Sequence, residues 1–238
     1  MIYIGTSGWH YQHWKGNFYP KDIKNTDYLD HYLKTFDTVE INNSFYRLPD
    51  VGTLENWREK TPNHFIFSVK ASRYITHIKK LKDPEKGVDN FLQVVKHLKK
   101  KLGPVLFQLP PGWKRNPQRL QQFLEYLPSG YRYTFEFRNK DWFTEEIDHL
   151  LQAHNCAFCI YDLKRSTSPE KVTADFVYIR LHGPGNAYEG SYSRKTLQKW
   201  AKKIQQWQQA RKDVYCYFDN DQSGYAPNNA LLLKQLLS

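Results

Sequence analysis

"TVEINNSFYR", residues 38–47, begins as a buried strand should, with Val39 and Ile41 on one parity, yet it places Glu40 and Asn42 on the other. Successive side chains of a strand point to opposite faces, so the carboxylate and the amide share a face that the aliphatic residues do not. Parallel sheets are covered on both sides, and their strands usually read as continuous apolar runs. A strand of this mixed kind belongs where strand ends open onto a polar mouth.

The pattern recurs along the chain. "HFIFSVKAS" (64–72) sets Phe65, Phe67 and Val69 against Ser68, Lys70 and Ser72, and "PVLFQLP" (104–110) holds Gln108 between Phe107 and Leu109. "RYTFEFR" (132–138) alternates Tyr133, Phe135 and Phe137 with Glu136 and Arg138, and "CAFCIYD" (156–162) ends on Asp162. "FVYIRLH" (176–182) alternates Val177, Ile179 and Leu181 with Tyr178, Arg180 and His182; "DVYCYFDND" (213–221) leads to Asp219. With "IYIGT" (2–6), these runs make about eight strand-then-helix units. Helical spacing is clearest over 26–36, 85–101 and 193–211, where Leu197, Trp200, Ala201, Ile204 and Trp207 form a stripe, and Pro227 suits the first turn of a last helix.

Alternating β and α units imply parallel strands with crossover helices, either open and doubly wound or closed. About eight units favour closure, and no Gly-rich dinucleotide fingerprint or P-loop follows any strand. The expected fold is therefore α/β, a TIM-like (β/α)8 barrel, as a single domain over residues 1–238.

Lysine and arginine outnumber aspartate and glutamate 35 to 24, a net charge of +11, which suits an anionic partner. Lysine-rich helix faces explain part of this excess: "KHLKKKLG" (96–103) reads as cations at a helix C-terminus, where the macrodipole favours them. The 3 cysteines argue against a disulfide framework. Cys156 and Cys159 fall within one strand, where ~10 Å of rise puts them beyond disulfide reach and makes them core residues. No run approaches the ~20 apolar residues of a membrane span, and the opening "MIYIGTSGWH" enters a strand directly; both point to a cytoplasmic protein without a membrane role.

Several longer motifs resemble one family. "GTSGWHYQHWKGNFYP", "TVEINNSFYRLP", "FSVKASRYITH", "GPVLFQLPP", "FEFRNKDW", "YIRLHGPGNAYEGSYS" and "YCYFDNDQSGYAPNNA" together look like the DUF72, or YecE-like, family, from Gly5 to about Ala230. The resemblance implies a TIM-like barrel similar in architecture to sugar isomerases and apurinic endonucleases of the xylose-isomerase-like group, without implying an established reaction. Matching positions include Trp9, Asn42, Tyr46, Arg73, His77, Gln108, Tyr192, Asn220 and Tyr225 beside the charged residues named above. The chain departs at Asp219 and Asn220, where members more often carry paired asparagines, so Asp219 is assigned to binding rather than catalysis.

These readings lead to an enzyme, a hydrolase or an isomerase or lyase, acting on an anionic sugar-like or nucleotide-like small molecule. Glu40, Lys70, Glu136 and His182 are the candidate catalytic groups, because acid–base work needs ionisable groups in unlike environments. Arg138 and Arg180 offer forked donors to an anion, joined in binding by Trp9, Asn42, Tyr46, Arg73, His77, Gln108, Tyr192, Asp219, Asn220 and Tyr225. No cofactor is required; a divalent metal on Glu136, Asp162, His182 and Asp219 is the alternative, opposed by the arginines. "DNDQSG" (219–224) is no EF-hand loop, since the position that needs a terminal Glu is Ala230. A second class of function is nucleic-acid binding or processing, with Trp9, Tyr11, Trp14, Phe45, Tyr46, Tyr188 and Tyr192 as base-stacking rings; loop packing is the competing explanation for them. A third is a noncatalytic scaffold.

Overall fold

The structure is a computed structural model that describes residues 1–163 and 166–238. Its contacts divide the chain into two compact units, Met1–Glu40 with Ile160–Glu170 and Phe176–Ser238, and Ile41–Cys159 with Lys171–Asp175.

In the first unit, β1 (Ile2–Thr6), β8 (Phe176–Leu181) and β9 (Asp213–Phe218) lie parallel around β9, with Ile2 through Thr6 facing Val214 through Phe218. Ser7, one residue beyond β1, bridges Glu40 of β2 (Thr38–Ile41). The helix α1 (Tyr28–Tyr32) follows a 3-10 turn at Asn25–Asp27, shorter than the stretch 26–36 that its periodicity predicts. The predicted stripe is borne out on α6 (Arg194–Gln209), where Leu197, Trp200, Ala201 and Ile204 are buried beneath an N-cap at Ser193, whose side chain accepts from Thr196 N. Helix α7 (Tyr225–Leu237) carries Pro227 in its first turn, where a missing N–H costs nothing.

In the second unit, α2 (Val51–Lys60) precedes β3 (Ile66–Lys70), α3 (Pro84–Val95) precedes β4 (Leu102–Leu109), α4 (Pro117–Tyr126) precedes β5 (Tyr133–Phe137), and α5 (Glu145–Ala153) precedes β6 (Ala157–Leu163), of which Ala157, Phe158 and Cys159 belong to this unit. The strands pair in parallel, and the β4–β5 register puts Gln108 beside Glu136. Phe65, Phe67, Phe107, Phe135 and Phe137, on the apolar parity of their strand runs, are fully buried, and Phe123 of α4 meets Phe107 edge-on with centroids 5.1 Å apart. The helix read over 85–101 stops at Val95; a 3-10 segment, Lys96–Lys101, follows, broken at Lys99 by a left-handed φ of 54°. Beyond that break Lys101 is buried, whereas the sequence places it with the other cations of 96–103 at a helix C-terminus.

The sheet order is β1-β9-β8-β6-β5-β4-β3-β2, with a two-residue β7 (Ser166–Thr167) pairing antiparallel to β6. Apart from β7, which sequence periodicity misses, this is the strand succession of the expected TIM-like (β/α)8 barrel in the α/β class. All three cysteines are buried thiols outside any disulfide. No helix among the described residues is long and apolar enough to cross a membrane.

Candidate functional site

Three parallel strands of the first unit deliver charge from their C-terminal ends: Glu40 near the end of β2, Arg180 and His182 at and just beyond the end of β8, and Asp219 just beyond β9. Glu40 and Arg180 are 0% exposed and form a forked ion pair, with Arg180 Nη2 donating to Oε1 at 2.7 Å and Nε donating to Oε2 at 3.0 Å. Ser7 Oγ and Tyr178 OH each donate to the same carboxylate at 2.6 Å. A charge removed from water is costly unless its lone pairs are satisfied, and four donor groups meet that requirement for Glu40.

Arg180 connects this pair to a second one. Its Nη2 lies 3.2 Å from Asp219 Oδ2, and its Nη1 lies 3.4 Å from His182 Nε2, while His182 Nδ1 is 2.9 Å from the same Asp219 oxygen. A guanidinium has only N–H groups to offer, so the hydrogen-bond pattern assigns the imidazole proton to Nδ1 and leaves Nε2 as the acceptor. Tyr188, held at a φ of 67°, sets its ring edge-on to His182 with centroids 5.4 Å apart.

The loop after β8 is pinned beside this network. Gly183, at a φ of 110° that only glycine adopts readily, donates its N–H to Tyr192 OH at 2.8 Å. A side chain there would run into the backbone of Glu189. Asn229 Oδ1 accepts from Tyr192 N and from Asn220 Nδ2, which also reaches Gly190 O. Burial raises the Asp162 carboxyl above its ordinary value, against a hydrogen bond from Tyr192 and the charge of His182.

On the other flank, Asp221 receives Trp14 Nε1 at 2.5 Å and approaches His13 Nε2 at 2.9 Å. Burial pushes its carboxyl up to about 6 despite these partners. Burial, followed by the charges of Asp219, Asp221 and Glu40, also raises the Tyr11 phenol, which donates to Ser7 O at 2.7 Å.

The second unit holds a cationic group. Lys70 ends β3 and sets its ammonium 4.3 Å from the Phe45 ring centre, and the same ring meets His77 edge-on at 4.9 Å. Burial, then Lys70, Arg73 and Arg138, lowers the His77 imidazole to about 4. Arg138 forms a buried ion pair through Nε with Glu136, which Gln108 neighbours in the sheet register. The Oδ1 of Asn42 is buried and makes no hydrogen bond.

A family model described as "Protein of unknown function DUF72" matches residues 3–238. The chain belongs to the DUF72 family. The UPF0759 protein YunF of Bacillus subtilis (strain 168) is 27% identical over 270 residues, covering 100% of this chain and 95% of that protein. The UPF0759 protein YecE of Escherichia coli (strain K12) is 26% identical over 236 residues, 88% of this chain and 83% of that protein. A solved DUF72 family protein from Thermotoga maritima MSB8 matches with a TM-score of 0.91 and 30% identity, covering 100% of this chain and 99% of that one. Another, from Enterococcus faecalis V583, matches with a TM-score of 0.85 at 19% identity, covering 100% and 95%, and shows the fold alone.

DUF72 membership agrees with the motifs that suggested it, but the placement of individual residues departs from expectation in several places. Of the rings proposed to stack bases, Trp9, Trp14, Phe45 and Tyr192 are buried, whereas Tyr46 is 76% and Tyr188 43% exposed. Loop packing therefore explains most of them. Tyr225, expected to bind substrate, is 38% exposed in the first turn of α7. Glu40 gathers with Arg180, His182 and Asp219; Lys70, Arg73, His77 and Arg138 form their own electrostatic group. Among the described residues, no three His, Cys, Asp or Glu side chains are grouped so as to hold a metal ion. Ser7 carries no signal of a partner in the sequence and Tyr178 stands out only by its parity; long-range packing makes both donors to Glu40. The Trp14–Asp221 contact, spanning 207 positions, left no local signal.

Proposed function

We propose that this DUF72 protein is an enzyme that performs acid–base chemistry on an anionic small molecule of sugar-like or nucleotide-like type. The observation carrying this reading is the Asp219–His182–Arg180 arrangement at the C-terminal ends of β8 and β9. In this reading Asp219 fixes the Nδ1–H tautomer, and Nε2 becomes the proton acceptor when an anion draws the Arg180 guanidinium away from it. Glu40 acts in this reading by holding Arg180, since its own oxygens already accept from Ser7, Tyr178 and Arg180. The anionic character of the substrate is supported by the chain's excess of 11 positive charges.

The reading is tested by incubating wild-type protein and His182→Asn with a metabolite extract and following consumption by mass spectrometry. An anionic metabolite consumed by the wild type and spared by the variant is the expected result; identical profiles would count against it. Anion binding is checked separately by following the His77 ring in an NMR pH titration. Phosphate or citrate bound beside Lys70 and Arg138 should raise the His77 midpoint from about 4 toward the ordinary histidine range. An unmoved midpoint contradicts anion binding there.

A further inference from the structure

A cationic cavity, of about 560 Å³, lies at the N-terminal ends of β3 and β4, the opposite end of these strands from Lys70 and Gln108. Its walls include Arg58, Glu59, Thr61, Asn63, Lys99 and Lys100. The volume falls in the range of small-molecule sites, roughly 300–1,000 Å³. Glu59 brings the lone carboxylate among these wall residues, and it is paired with Arg58 Nη2 at 2.7 Å. Lys101, also in the wall, is held by Arg58 O at 2.5 Å and Thr61 O at 2.6 Å, which leaves Lys99 and Lys100 as the exposed cations.

Two features indicate a built site. The Arg58 guanidinium is fixed by its Nη1 bond to His97 O at 2.9 Å, and His97 is in turn fixed by Glu55 at 3.0 Å. Lys99 sits at φ 54°, ψ −128°, the conformation that a tight turn normally gives to glycine. A lysine there costs stability that glycine would not, and in return it adds charge to the cavity.

We propose that this cavity binds a compact polyanion, a small molecule carrying a pyrophosphate group or a close pair of phosphates. Lys99 and Lys100 offer the mobile charges, Asn63 a neutral amide, and Arg58 the N–H groups left over by its contacts with His97 O and Glu59. Convergence of the cations on one concavity suits a compact ligand better than an extended strand, whose phosphates call for a stripe of charge. Reaction sites of such barrels are built at the C-terminal strand ends, so a ligand here is an effector or a carried molecule rather than a substrate.

The test is calorimetric titration of the full chain with inorganic pyrophosphate at low ionic strength. Saturable binding is expected in the wild type, and it should weaken about tenfold, or about 1.4 kcal/mol, in the Lys99→Gly, Lys100→Ala double variant. Lys99→Gly alone should weaken binding while raising Tm by about 2–6 °C, which separates lost binding from lost folding. Wild-type affinity in the double variant overturns the proposal, as does absence of binding to the wild type. Tighter binding of a ten-nucleotide single strand, lost in the same double variant, would overturn the choice of a compact ligand.

Discussion

Glu40 shows how one carboxylate can be tolerated inside a strand: every donor that reaches it arrives from another part of the chain. Glu40→Gln keeps the shape but leaves one acceptor oxygen among Ser7, Tyr178 and Arg180 and turns an amide N–H₂ toward donors. Thermal unfolding should show a loss of about 3 kcal/mol, a fall in Tm of roughly 6–12 °C. A shift below about 1 kcal/mol would show that the pair carries little of the stability. Asp221 makes the opposite case. Its carboxyl is raised from 3.8 to about 6, so between those values the native state keeps a proton that the unfolded chain has released. Its contribution therefore falls as pH rises through that window and stays low above it. Asp221→Asn should match the wild type near pH 4 and be more stable at pH 7 by about 1–2 kcal/mol, read from unfolding at both pH values. A difference that does not change with pH would remove the titration of Asp221 as its cause.

Elements here end where single contacts stop them. The last turn of α2 leaves carbonyls without helical partners, and Lys101, 40 or more positions away, supplies the donors from beyond α3. Lys101→Met keeps the apolar stem and removes the ammonium, taking from Thr61 O its lysine donor and leaving Arg58 O with the Thr61 hydroxyl at 3.2 Å. A cost of about 2 kcal/mol is expected from chemical denaturation, with far-UV circular dichroism unchanged in the native state. Equal stability would mean that water replaces the lysine. Helical periodicity over 85–101 was legible because Val88, Phe91, Leu92 and Val95 mark one buried face. The stop at Val95 was not, because lysines 99 to 101 read equally well as a solvated last turn.

The chain as a whole carries 11 more positive than negative charges, and this excess bears on what it attracts. Random single-stranded oligonucleotide should bind weakly, with affinity falling steeply as salt rises and no micromolar complex at about 0.15 M. Micromolar affinity at that salt would favour nucleic acid over a small anion. Most of the rings that could have stacked bases are buried, so the electrostatic attraction has few flat partners to support it.

Alternating parity in eight short strands was enough to give the β/α order and to single out Glu40, Glu136, Arg138, Arg180 and His182, because strand geometry imposes a period of two on any chain that adopts it. Which of these residues meet is a different matter. Glu40 and Arg180 are 140 positions apart, His182 and Asp219 are 37 apart, and nothing in the local pattern pairs them. Hydrogen bonds and ion pairs depend on distances of a few ångströms between side chains brought together from separate strands, and only the packed fold sets those distances.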